Sequence, residues 1–220
     1  MNRNGSLNVL QVITSITYGG AERVVFNLCT NKCSKEFNYI VLSLKKGDSF
    51  INSFIDENIN TKVLNLNKNP FKLFFSLIAA KKIIEKNNIR IVHCHLFHSY
   101  IFILLIKFFI PKLIIIFTPH NHFLGSSFRH FIVRYTKYFR HHDIIFSNNM
   151  LREMHTYNYR VIYNSVQLPT KSKQFGKSKF SNENPIKLIS VGRLEPSKNH
   201  LFLLQILLDM PKSFHFTLDI

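Results

Sequence analysis

Two histidine-rich segments are the first chemistry this sequence offers. His93, Cys94 and His95 stand together, with His98 just beyond, and Thr118, Pro119, His120, Asn121 and His122 follow after one further apolar stretch. Imidazoles can ligate a metal, move a proton or hydrogen-bond a hydroxyl. Catalytic zinc sites usually add a carboxylate, and no Asp or Glu occurs between Glu85 and Asp143. Hydrogen bonding to a substrate hydroxyl or to a neighbouring loop is therefore the favoured chemistry, and no metal is expected. For each histidine taken singly, a satisfied structural role stays open.

Two glycine-containing turns offer a second kind of chemistry. Tyr18, Gly19, Gly20, Ala21, Glu22 and Arg23 join an apolar run to a helical pattern. Adjacent glycines let backbone approach a ligand closely, and the unpaired amides of a helix start favour an anion; a tight turn needing φ > 0 explains the glycines equally well. The third glycine of a dinucleotide fingerprint is missing, and no Walker pattern occurs. Farther on, Val191, Gly192, Arg193, Leu194, Glu195, Pro196, Ser197 and Lys198 repeat the arrangement with two cations. Arg193 and Lys198 beside a helix N-terminus form a candidate diphosphate clamp, one as a planar fork and the other as a point charge; as solvated loop cations they would do nothing. The stretch Val161, Ile162, Tyr163, Asn164, Ser165 and Val166 reads as a strand running into a turn.

These residues need a scaffold, and the hydrophobic pattern supplies one. Short β-rich runs at 9–14, 38–43, 61–66, 90–95, 113–118, 143–147 and 160–163 alternate with helical patterns at 21–33, 50–57, 70–87, 98–109, 126–140 and 149–155. Alternation of this kind predicts an α/β fold, a Rossmann-like doubly wound parallel sheet whose ligands bind at the carboxyl ends of the strands. Period-two geometry puts His93 and His95 on one face of their strand and Cys94 on the other. Residues 168–185, rich in Lys, Ser, Asn and Gly, read as a linker between residues 1–167 and a second pattern at 186–220, where strand, helix and strand restart.

Composition narrows the classes further. The 220 residues are 46% hydrophobic with 22 Phe, which excludes global disorder. Cys29, Cys33 and Cys94 match no disulfide framework or zinc spacing and read as reduced thiols. The N-terminal apolar run is interrupted by Asn8, Gln11 and Thr14, so it reads as a first strand rather than a signal peptide. Lys107, Pro111 and Lys112 break the most apolar stretch well short of the about 20 residues a membrane span needs. A net charge of +17 calls for an anionic partner: nucleic acid, phosphorylated substrate or membrane surface.

In order and spacing, the turn at Gly19 and Gly20, the strand end at His93 to His95, the turn from Thr118 to Asn121, the segment at 161–166 and the segment at 191–198 together resemble the motif series of the family-4 retaining glycosyltransferases of GT-B fold. The resemblance covers nearly the whole chain. It implies an N-terminal acceptor domain followed by the start of a donor domain, and transfer of a sugar from a nucleotide diphosphate sugar to an acceptor hydroxyl with retention. No metal or cofactor is implied, the nucleotide sugar being the donor substrate. By resemblance, Gly19, Gly20, Arg193 and Lys198 bind the donor diphosphate, His95 and His120 are the catalytic pair near sugar and acceptor, and Asn164 marks the hinge. The family's common Asn-Gly-Val-Asp is here Asn164, Ser165, Val166, Gln167, and its paired glutamates, separated by seven residues, have no counterpart after Lys198. The resemblance thus implies a truncated donor half.

Basic residues and aromatics mingle at 71–86, 101–112 and 128–142. In the last of these, Phe128, Phe131, Ile132, Tyr135 and Phe139 recur at helical spacing among Arg129, Arg134, Lys137 and Arg140, predicting a helix that packs one face and offers a basic one. The resemblance implies a glycan or lipid-linked acceptor and a role in bacterial surface polysaccharide or glycolipid synthesis; together with this pattern it leads us to expect a cytoplasmic protein held peripherally on the inner, anionic face of the membrane. An inactive acceptor-binding or scaffold module is the alternative. A nucleic-acid binder shares the charge but finds no recognisable motif, and no nucleic acid is expected.

Overall fold

The computed structural model describes residues 6–30, 36–121, 124–154, 156, 158–164, 185–192, 194–211 and 215–220. The chain divides into two units, Met1–Val166 and Gln167–Ile220.

In the first unit, seven strands form one parallel sheet: β1 (Leu7–Ile13), β2 (Phe37–Ser43), β3 (Asn60–Val63), β4 (Ile91–His95), β5 (Ile114–Thr118), β6 (His142–Ile145) and β7 (Tyr159–Val161). Their spatial order is β3-β2-β1-β4-β5-β6-β7, the doubly wound arrangement in which the order reverses beside β1. Strand β1 sits between β2 and β4 with Gln11 opposite Val41 on one side and His93 on the other.

Helices cover both faces, which is why the central strands can carry apolar residues on both sides. Helices α1 (Gly20–Thr30) and α2 (Phe50–Asp56) contribute Val25, Phe50 and Phe54 to a core with Ile13, Ile16 and Val41. The larger core lies around α3 (Pro70–Lys86), α4 (Leu96–Phe109), α5 (Ser127–Tyr135) and α6 (Asn149–Met154). It gathers Ala80, Ile84, Tyr100, Ile103 and Val133 against Leu10, Val12, Ile40, Leu42, Cys94 and Phe117. Neighbouring residues such as Ile40 and Val41 thus enter different cores, as a period of two requires. Asn69 caps α3 through its side chain, which accepts from the Phe71 amide, with Pro70 opening the helix. Burial raises both described thiols, Cys29 to about 12 and Cys94 well upward, so they stay protonated. Among the described residues no helix is long and apolar enough to cross a membrane.

The third basic segment departs from expectation. Instead of one helix over 126–140, α5 stops at Tyr135 and a 3-10 turn follows at Lys137–Phe139. Its break is at Thr136, whose carbonyl and hydroxyl lie 3.0 and 2.7 Å from the Tyr100 hydroxyl. The aromatic face does not pack either. Phe128, Phe131 and Tyr135 are exposed and only Val133 of α5 is buried, the Phe131 and Tyr135 rings instead meeting each other at a tilt with centroids 4.3 Å apart. Arg140 is not part of a basic surface. It is buried and holds Asp143 through two bonds of 2.6 and 2.9 Å, donates to the Val133 carbonyl, and lies over the Tyr100 and Phe117 rings.

The second unit is smaller. Strands β8 (Ile186–Ile189) and β9 (Phe216–Asp219) pair in parallel, and between them lie a 3-10 turn at Pro196–Lys198 and helix α7 (His200–Leu208). Helix α7 has no buried residue among those described.

Candidate functional site

At the carboxyl ends of β1, β4 and β5, three histidines form a ladder. In the β4–β5 register, His95 is opposite Thr118, and alternation brings His93 and His95 to the same face with ring centroids 4.0 Å apart. The His120 ring follows at 5.1 Å from His95, and Phe146 at 5.2 Å from His120. Hydrogen bonds tie the rungs: His93 Nε2 is 2.7 Å from Thr118 Oγ1, His95 Nδ1 is 2.8 Å from His120 Nε2, and His95 Nε2 is 2.7 Å from Gln11 Oε1.

Burial decides the charge state. His95 is inaccessible, His93 nearly so, and His120 half-buried. Desolvation, reinforced by neighbouring imidazoles, lowers His93 to about 3 and His95 well below its ordinary value, and desolvation lowers His120 to about 4. All three are neutral at physiological pH, able to donate at one nitrogen and accept at the other. His120 of the ladder, with φ 64°, and Leu96 beside it, with φ 70°, adopt the left-handed backbone that non-glycine residues avoid. Such strain, about 1–3 kcal/mol per residue, concentrates at functional sites. Helix α4 starts directly after His95, two residues earlier than the sequence pattern indicates, and the Ser99 hydroxyl donates to the His95 carbonyl in its first turn.

Next to the ladder is a cleft of about 180 Å³. Its walls are Val24, Asn27 and Leu28 of α1, His93 and His95 of β4, Thr118 of β5, and Ile144, Phe146, Ile162, Tyr163 and Asn164. Asn164 is therefore brought to the same cleft as His93 and His95. No carboxylate is among the lining residues, and no group of three metal-ligating side chains occurs among the described residues.

The glycines at the start of α1 do different things. Neither has a positive φ among the described residues, so a left-handed turn does not account for them. A Cβ on Gly19 would strike the Glu22 carboxylate, whereas one on Gly20 would meet nothing within 4 Å. Gly20 opens an 11-residue helix, α1, with the Glu22 carboxylate in its first turn. Arg23 lies over the Phe26 and Phe50 rings.

In the second unit, Lys198 is next to the glycine turn: a Cβ on Gly192 would lie 3.4 Å from Lys198 Cγ and 3.5 Å from His200 Nε2. His200 is an addition the sequence pattern did not single out. Arg193 lies outside the described residues, as do Cys33, His122 and most of the expected linker. Gln11 was also missed as a site residue. Its one signal in the sequence is a polar residue inside an apolar first strand.

The family model for Glycosyltransferase Family 4 matches residues 18–168, more than half of the chain. The chain belongs to Glycosyltransferase Family 4. Solved structures agree on the fold of this family-4 chain. It is similar to Anabaena HepE in complex with UDP and glucose, at 14% identity and a TM-score of 0.71, over 96% of this chain and 60% of that one. It is also similar to a glycosyltransferase from Rickettsia africae (14%, 0.65, 98% and 69%) and to the apo form of the lipopolysaccharide outer core galactosyltransferase WaaB (14%, 0.65, 96% and 60%). The seven-stranded unit has the Rossmann-like architecture of a GT-B N-terminal domain, and the family-4 chain spans about 60% of the length of HepE. No curated protein matches it.

Proposed function

We propose that this chain carries the acceptor-side half of a retaining glycosyltransferase, moving a sugar from a nucleoside diphosphate sugar to an acceptor hydroxyl in bacterial surface polysaccharide or glycolipid synthesis. The observation that carries the proposal is the neutral His95–His120 pair, bonded at 2.8 Å at the ligand-binding edge of a family-4 unit. A half-buried neutral imidazole is suited to orient a sugar hydroxyl. His95, inaccessible and with both nitrogens engaged, acts through His120. Gly20, where an added side chain would meet nothing within 4 Å, stands at the start of α1 as a donor diphosphate contact, and Lys198, with Arg193, neutralises the departing diphosphate. Asn164 serves as the hinge. The cleft lining holds no carboxylate, which supports departure assisted by cations rather than by an enzyme nucleophile. In this reading no cofactor enters the reaction.

Calorimetric titration with UDP-glucose and other sugar nucleotides tests this, with the product anomer read by proton NMR. Lys198→Ala should weaken donor binding about tenfold, the equivalent of about 1.4 kcal/mol. A folded chain that binds none of the panel would sink the proposal for this chain alone.

Exposed aromatics support a membrane partner for the same enzyme. Phe71, Phe74, Phe75 and Ile78 of α3 are all exposed and follow the i, i+3, i+4, i+7 spacing of one helix face. Lys68, Lys72, Lys81 and Lys82 accompany them, and Phe108 and Phe109 end the neighbouring α4. This is the composition of a surface that inserts aromatics between lipids while its lysines meet anionic headgroups. Cosedimentation with vesicles should rise with anionic lipid content and fall with salt. Phe71→Ser with Phe75→Ser should reduce it; binding indifferent to lipid charge would remove the membrane from the proposal.

A further inference from the structure

We propose that Gln11 and His95 are positioning residues that set the tautomer of His120, placing its proton on Nε2 and leaving Nδ1 as a hydrogen-bond acceptor. Gln11 is buried in the middle of β1, whose backbone is paired on both sides, and its Oε1 lies 2.7 Å from His95 Nε2. A carboxamide oxygen only accepts, so His95 Nε2 must carry hydrogen. In a neutral imidazole the other nitrogen then has the lone pair. That nitrogen, Nδ1, is 2.8 Å from His120 Nε2, so His120 must donate there, and its own lone pair falls on Nδ1.

Neutrality is what makes the chain work as a relay, because a charged imidazole donates at both nitrogens and transmits nothing. Burial lowers the basicity of both rings and so keeps this condition at physiological pH. The contrast with His93 shows why Gln11 matters. The partner of His93 Nε2 is the Thr118 hydroxyl, which rotates to donate or accept and fixes no tautomer. Gln11 has no such freedom once its amide is oriented. Turning the amide over would present Nε2–H to His95 and move every proton in the chain to the opposite nitrogen, so the two arrangements are distinct and measurable.

The consequence rests on the glycosyltransferase reading in one respect only, the identity of what Nδ1 meets. An acceptor nitrogen favours a group that has a hydrogen to give. A sugar hydroxyl at that position is taken, and a deoxy or O-methyl sugar is disfavoured.

Long-range proton–nitrogen NMR on the full 15N-labelled chain reads each histidine tautomer directly, since protonated and lone-pair nitrogens resonate far apart. In the wild type both His95 and His120 should be protonated at Nε2. Gln11→Leu removes the acceptor and should move the proton to Nδ1 in both rings, while Gln11→Glu should keep the wild-type pattern. A wild-type His120 protonated at Nδ1 overturns the proposal without any variant, so failure of Gln11→Leu to fold does not protect it. An unchanged His120 tautomer in a folded Gln11→Leu protein overturns it as well. Adding UDP-glucose to the wild type should shift His120 Nδ1 as it accepts a hydrogen bond. Tautomers as stated with no such shift would retain the relay and count against the sugar reading.

Discussion

The two units are built from the same strand–helix–strand grammar and reach different ends. In the first, β1 and β4 lie between other strands with helices on both faces, and Leu10, Val12, Val92 and Cys94 lose all contact with solvent. In the second, β8 has β9 as its one partner among the described residues. Ile189, Val191, Leu201 and Leu208 remain 75–88% exposed. Local pattern therefore specifies the elements in both units, whereas burial, which supplies most of the stability, depends on how many neighbours each element has. The polar features follow the same division. The histidine ladder and the buried Arg140–Asp143 pair occur in the unit that can enclose them, while Lys198 and Gly192 form an open turn.

The largest expected effect that sharpens this contrast is acid sensitivity in the first unit, centred on its histidine ladder. Unfolded histidines titrate near about 6.5, whereas burial holds His120 at about 4, His93 at about 3 and His95 well down. Folded pKa values below the unfolded one mean that the unfolded chain binds more protons throughout that window. Stability is therefore fully present above about pH 6.5 and is lost as pH falls toward the folded values, at up to about 1.4 kcal/mol per pH unit for each histidine. Urea unfolding of the chain between pH 7.5 and pH 4.5 (about these limits) should show this slope. Replacing His93 and His95 by Gln should flatten it, and a slope unaffected by the replacements would mean that the ladder is not buried in solution.

Second in size is the loss of the Asp143 carboxylate. It accepts both bonds from Arg140, with side-chain exposures of 1% and 3% for the pair. Removing one partner strands a buried charge, so Asp143→Ala should cost about 3–5 kcal/mol, measured as a fall in the urea midpoint at constant m-value. A cost under about 1 kcal/mol, the range of exposed ion pairs, would show that water reaches Arg140.

These features differ in how far the sequence reveals them. Strands were legible because a parallel sheet covered on both faces needs continuous apolar runs, and 90–95 and 113–118 stand out as such. The shared face of His93 and His95 was legible from alternation. Gln11 as their partner was not, because nothing local to either segment states that β1 lies beside β4. Nor was the end of α5: its periodicity continues to Phe139, and what stops it is Tyr100, a contact 36 residues away in sequence. Arg140 looked like one more surface cation because a basic run gives no sign of which member meets a carboxylate.

The smallest effect is a matched pair of truncations. Leu10 is fully buried in β1, and Leu10→Ala should cost about 2–5 kcal/mol through lost transfer energy and the cavity left behind. Leu208 is 84% exposed at the end of α7, where the same truncation removes almost no buried surface; Leu208→Ala should change stability by under about 0.5 kcal/mol. Chemical denaturation monitored at several protein concentrations decides the matter. If Leu208→Ala costs much more than this, and more so as protein concentration rises, the apolar face of α7 is covered by a second copy in solution, and the contrast between the units is one of partners rather than of fold. A small, concentration-independent change would mean that α7 leaves its apolar surface in water and that its helical form rests on local preference. Leucine-rich segments have enough of that to hold a short helix only weakly, so the α7 amides should exchange with solvent far sooner than those of β1 and β4.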